Sequence, residues 1–196
     1  MGNKRRITRE DILSMEDYGA IRKDRRRALV QRKRNRRMAV GPFVTLHFEN
    51  YDTMWHQVHE MLFIEKGGEA QIAGELEAYN PLIPQGRELV ATMLLEIEDP
   101  VRRARTLATL GGIDETVTFT IGGDIVRGLP EQDVERTTED GKTSSVHFLR
   151  FPFTDAQAEA FRQPNAQVVL GVGHPNYGHM AVVPDAVRQA LAEDLD

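Results

Sequence analysis

Val168-Val169-Leu170-Gly171-Val172-Gly173-His174-Pro175-Asn176-Tyr177-Gly178-His179-Met180-Ala181-Val182-Val183 is two β-branched runs separated by glycine, proline and asparagine. Such a pattern reads as strands at 168–172 and 180–183 joined by a turn, and a turn that short allows only antiparallel pairing. The same texture recurs upstream. Val40, Val44, Leu46 and Phe48 read as one strand with an irregular start at Gly41-Pro42, and strands are also expected at 89–97, 117–126 and 145–151. Helical signals fall between them without a regular βαβ rhythm. Thr8 and Ser14 each stand three residues before an acid, which predicts helix from about 9 and again from about 15. Asn50 and Asp52 cap a stripe of Met54, Trp55, Val58, Met61, Leu62 and Ile64 that ends at Gly67-Gly68. Further helices are expected at about 70–79, from Asp99-Pro100, from Thr154-Asp155 and from Pro184-Asp185. A polar tract at 136–143 reads as a hairpin tip. The fold class that follows is α+β: a mixed, mostly antiparallel sheet flanked by helices, with a basic N-terminal helix. The expected organisation is a basic helical segment, 1–38, packed on an α+β body, 39–196.

Charge separates these two parts sharply. Fourteen of the 25 basic residues but only five of the 30 acids lie in the first forty positions, net +9, which leaves −14 on the remaining 156 residues. Arg25, Arg26 and Arg27 are consecutive, and Arg32, Lys33, Arg34, Arg36 and Arg37 follow within a few residues. Such a segment either grips an anionic partner, an acidic protein or nucleic acid, or docks on the protein's own acidic body. Gly19 through Pro42 contains no aromatic residue, so base stacking has no platform there and nucleic acid is the less favoured partner.

Several chemistries are excluded by what the chain lacks. Zero cysteines remove disulfides, thiolate catalysis and thiolate-held zinc or iron–sulfur clusters. No phosphate-cradling Gly-x-x-x-x-Gly-Lys-Ser/Thr and no Gly-x-Ser-x-Gly elbow occurs. No apolar run reaches the roughly 20 residues of a membrane span, and no signal-peptide pattern follows Met1, so a cytoplasmic protein is expected. Histidines carry the remaining signal. A four-residue turn would set His174 opposite His179, His147 alternates onto one face of its strand, and Glu49 shares a face with His47. His147, His174, His179 and Glu49 therefore form a candidate site for a divalent metal, iron, manganese or zinc, against the plainer reading of hydrogen-bonded structural histidines. His56, His59 and Glu60 lie near one face of a helix in no recognised metal-binding order.

Ile7-Thr8-Arg9-Glu10-Asp11-Ile12, Lys33-Arg34-Asn35-Arg36-Arg37, Gly41-Pro42, Phe48-Glu49-Asn50, Glu60-Met61-Leu62, Glu75 through Pro84 and Ser144 through Phe151 together resemble a bacterial family of about 200 residues known only as a domain of unknown function. The resemblance covers nearly the whole chain. It implies genes beside rubrerythrin and a heterodisulfide-reductase-like iron–sulfur protein, and so an accessory role in peroxide response or electron transfer with one of these as partner. It carries no catalytic residues over.

Overall fold

The computed structural model describes residues 4–131 and 141–196. A single 3-10 turn, Arg9–Asp11, precedes α1 (Met15–Arg34), β1 (Arg37–Val40), β2 (Val44–Glu49), α2 (Tyr51–Glu65), α3 (Glu69–Tyr79), β3 (Glu88–Leu95) and α4 (Pro100–Leu107). The chain continues through β4 (Val117–Ile121), β5 (Asp124–Arg127), β6 (Leu129–Pro130), β7 (Val146–Pro152), α5 (Asp155–Arg162), β8 (Val168–His174), β9 (Tyr177–Val182) and α6 (Asp185–Ala192). The fold is α+β. Two sheets replace the one expected, in the orders β1-β2-β3-β7-β6 and β5-β4-β8-β9, and their pairings are antiparallel. The expected strand over 40–48 is a hairpin. Gly41 takes φ +74°, a left-handed value that glycine adopts at little cost, and the chain turns back so that Val40 faces Val44. Most of the polar tract at 136–143 lies outside the described residues. No helix among the described residues is long and apolar enough to cross a membrane.

Local chemistry sets the helix starts. The Ser14 hydroxyl accepts from the Asp17 N–H at α1, Asn50 and Thr53 cap each other's backbone at α2, Asp99 caps α4 ahead of Pro100, and Thr154 and Gln157 cap α5 reciprocally. Alternation in the strands then builds the main core. Inward residues of the five-stranded sheet, among them Val44, Leu46, Phe48 and Phe151, face Phe119, Leu170 and Val172 of the other. Phe119 sits at the centre, 5.0 Å from Phe151 and 5.8 Å from Phe48 between ring centroids. A second cluster lies on the opposite face of the larger sheet, where Val90 meets Trp55, Val58 and Leu62 of α2, Ile72 of α3, and Ile7 and Ile12 of the N-terminal arm. α1 packs outside this layer, against α2, and buries only Tyr18 and Leu29.

Two buried side chains hold α1 in register with the sheet and the C-terminus. Arg36, in the link from α1 to β1, donates from Nε to the Phe48 carbonyl (3.1 Å), from Nη2 to Glu49 O (3.1 Å) and from Nη1 to Ala190 O (3.0 Å). It also pairs with the carboxylate of Asp194, just beyond α6, and both side chains are 5% exposed. Burial pushes the Asp194 carboxyl above its ordinary range, against the opposing pull of Arg36. Removing one partner of such a pair strands the other. Arg36→Leu is expected to lower unfolding stability by about 3–5 kcal/mol, whereas Arg26→Leu on the exposed side should stay within about 0.5 kcal/mol, both read from urea midpoints at constant m-value. Equal losses for the two variants would contradict this assignment.

Candidate functional site

α1 has two sides with different chemistry, and the helical repeat decides which arginine belongs to which. Tyr18, Arg22, Arg25, Leu29 and Arg32 recur at three- and four-residue steps and so share one side, which faces α2. Arg22 makes a two-pronged pair with Glu60, Nε to Oε1 and Nη2 to Oε2, each 2.8 Å. The Tyr18 hydroxyl donates to the same carboxylate at 2.6 Å and lies 3.1 Å from His56 Nδ1. Hydrogen bonding from Arg22 holds the Glu60 carboxyl down at about 2, while burial, seconded by Glu60, pushes the Tyr18 phenol above its ordinary range. Arg25 stacks its guanidinium 4.4 Å from the centre of the Trp55 ring, and Arg32 pairs with Asp52. Of the eight basic residues expected to meet an external anion, Arg25, Arg32 and Arg36 are therefore turned to the protein itself.

The other five remain available. Arg26, Arg34 and Arg37 are exposed, Lys33 is half-buried, and none of them forms an ion pair among the described residues. Arg27 is exposed too, with the exposed Asp24 at 3.6 Å one turn away. Lys23, absent from the expected set, joins the same stripe and forms no ion pair among the described residues. Val30 lies among these cations, 54% exposed. Lys23 and Val30 were readable from phase alone, since both lie three or four residues from Arg26 and Arg27 and neither does so from Tyr18 or Leu29. Arg37 on β1 extends the stripe onto the sheet edge beside His47, whose imidazole is pushed down by burial and then by Arg37. A cleft of about 620 Å³ beneath the arm and the end of α1 contrasts with this stripe. Its cations, Lys4, Arg5, Arg32 and Arg36, are each paired with a carboxylate.

The candidate metal residues do not come together. His147 is fully buried, with Nδ1 2.9 Å from the Asp114 carboxylate and Nε2 2.9 Å from Ser144 O and 3.1 Å from Thr143 Oγ1, so both ring nitrogens are engaged. Burial pushes the Asp114 carboxyl up, but the hydrogen bond and charge of His147 hold it below its ordinary range. His174 donates from Nε2 to Gly111 O and accepts at Nδ1 from the Asn176 N–H, both at 3.2 Å. The turn between β8 and β9 contains two residues, not four, so His174 faces Tyr177 and His179 faces Val172. His179 instead lays its ring 4.3 Å from that of Tyr177. Glu49 accepts from the Thr92 hydroxyl at 2.8 Å on the far side of the larger sheet from the main core, and its second oxygen is buried without a partner, as is Nε2 of His47 two residues earlier. Among the described residues, no group of three or more histidines and carboxylates is placed to hold a metal ion.

The pair formed by Asp114 and His147 was hidden from sequence by its separation of 33 positions. His59, expected only near one face of a helix with His56 and Glu60, has a structural role. It is buried, accepts at Nε2 from the Leu13 N–H (3.1 Å) and contacts Trp55 O through Nδ1 (2.7 Å), anchoring the arm to α2.

A family model described as "Protein of unknown function (DUF3501)" matches residues 6–195. The crystal structure of a novel protein of unknown function from Burkholderia pseudomallei K96243 superposes with a TM-score of 0.89 at 36% identity, covering 97% of this chain and 99% of that one. No curated protein gives a match.

The network between α1 and α2 predicts a pH dependence. Glu60 has a folded value of about 2 against 4.5 for the free group, so its stabilising effect is complete above about pH 4.5 and is lost as pH falls from there toward 2. Melting temperatures of the native protein and Glu60→Gln should differ most near neutral pH and converge in acid. A gap that stays constant down to about pH 2.5 would show that the carboxylate is not the linked group.

Proposed function

We propose that this chain, which belongs over residues 6–195 to the DUF3501 family of proteins of unknown function, is a non-enzymatic interaction module whose basic N-terminal helix docks an acidic protein partner. The observation that carries this reading is the division of labour along α1. Its inner arginines are consumed by Glu60, Trp55 and Asp52, which fix the helix, and its outer cations Lys23, Arg26, Lys33 and Arg34 form no ion pair among the described residues. A rigid helix loses little freedom when its partner arrives, and unpaired cations steer an acidic surface toward it.

A protein suits the stripe better than nucleic acid does. Exposed Val30 offers an apolar contact within the stripe, and α1 presents no exposed aromatic for base stacking. A polyanion running past the helix also meets a body carrying −14, whereas a local acidic patch of a protein does not. The family resemblance brings forward rubrerythrin and a heterodisulfide-reductase-like iron–sulfur protein as the partners to try, which would place the module in a peroxide-response or electron-transfer system.

Titrating each of these proteins, from the same genome, against the native chain and against the quadruple variant Lys23→Glu, Arg26→Glu, Arg27→Glu, Arg34→Glu tests the reading. Association with one of them should weaken as salt rises, and the variant should lose about tenfold or more in on-rate while melting at an unchanged temperature. Failure of both partners to bind, or tighter binding of duplex DNA than of either protein at the same salt, would count against an acidic protein as the occupant.

A further inference from the structure

Away from the basic stripe, an apolar cleft of about 500 Å³ opens between the N-terminal arm, the last turn of α2 and the first turn of α3. Ile12, Leu13, Met15, Leu62, Phe63 and Ile72 form its walls. Ile12, Leu62 and Ile72 belong to the buried cluster, while Leu13, Met15 and Phe63 are half-buried, so the apolar lining runs continuously from the interior to the surface. A volume of this size lies within the range of small-molecule sites, roughly 300–1,000 Å³, and such a wall rewards burial of a hydrocarbon chain.

The rim selects the charge of the occupant. Three ionised side chains border the cleft: Arg9, Lys66 and Glu69. Arg9 covers both oxygens of Glu69, each at 2.6 Å, so the rim's carboxylate is already matched. Lys66 ends α2 in the left-handed conformation, at φ 57° and ψ 30°, is exposed, and forms no ion pair among the described residues. Beside it the eleven-residue α3 begins at Gly68, which supplies no capping side chain, and a Cβ placed on Gly68 would meet nothing within 4 Å. The cleft thus joins an apolar interior to a rim with one unmatched positive charge and an uncapped, electropositive helix end in support.

We propose that this cleft binds a medium-chain monocarboxylate, its hydrocarbon chain against Leu13, Leu62 and Phe63 and its carboxylate at the Lys66 ammonium. A neutral alcohol of the same length would gain the apolar contact without the charge. A cationic amphiphile would meet Lys66 as a like charge. The site is separate from the outer stripe of α1, and its failure would leave the docking reading untouched.

Calorimetric titration of the full chain with decanoate, decanol and decyltrimethylammonium tests the proposal. Decanoate should bind saturably at one equivalent. Lys66→Asn, chosen because asparagine tolerates the left-handed backbone, should weaken decanoate by about tenfold and leave decanol unchanged, as expected for loss of one charge-assisted hydrogen bond. Leu13→Glu should lose both ligands while thermal melts report an intact fold. The proposal is overturned if decanoate fails to saturate, if Lys66→Asn binds it as tightly as the native protein does, or if decyltrimethylammonium binds as well as decanoate.

Discussion

A guanidinium taken out of water is tolerated only where its N–H groups find acceptors, and Arg36 finds the carbonyls of Phe48, Glu49 and Ala190 together with the carboxylate of Asp194. Donor and acceptors come from three places far apart in the chain. Arg36 itself links α1 to β1, Phe48 and Glu49 end β2 at the threshold of α2, and Ala190 and Asp194 belong to the C-terminal helix and its continuation. One side chain therefore fixes where α1 leaves the sheet, where α2 begins, and where the chain ends. Arg5 reinforces the arrangement from the N-terminal arm by donating to Asp194 O and Pro84 O at 3.0 Å.

The charge imbalance of the chain gains meaning from this anchoring. A helix with net positive charge and few apolar residues has little reason to fold alone. Here Tyr18 and Leu29 supply modest burial, and Arg22, Arg25 and Arg32 add an ion pair, a ring contact and a second ion pair along the same side. What stays outside is a set of cations held on a fixed backbone. The N-terminal basic segment thus grips the body with one side and faces solvent with the other.

Sequence reasoning succeeded where the determining interactions are local. The caps at Ser14, Asn50, Asp99 and Thr154 involve neighbours three residues on, and alternation marks the strands through periods of two. It failed where partners are remote or where one residue changes the geometry. Alternation says that a segment is a strand but not which sheet it joins, so one sheet was expected where two pack face to face. Gly41 divides an apparent single strand into a hairpin through its positive φ, and the two-residue turn after His174 shifts His179 out of opposition. His147 looked available as a ligand because Asp114 and the backbone of Ser144, which occupy its nitrogens, carry no recognisable spacing relative to it. The sorting of arginines was within reach, since counting by three and four from Tyr18 separates Arg25 and Arg32 from Arg26, Arg27 and Arg34.

α1 is an integral part of the folded unit, locked by its inner side, so that the outer cations sit on a rigid platform. Native-state hydrogen exchange of the α1 backbone amides measures this directly, because each amide reports the free energy of the smallest opening that exposes it. Protection around Leu29 of α1 close to that of β2 and β3 is the predicted result, with α1 and α2 opening in one cooperative step. Exchange of the whole of α1 at the rate of an isolated helix, while β2 and β3 remain protected, would contradict it.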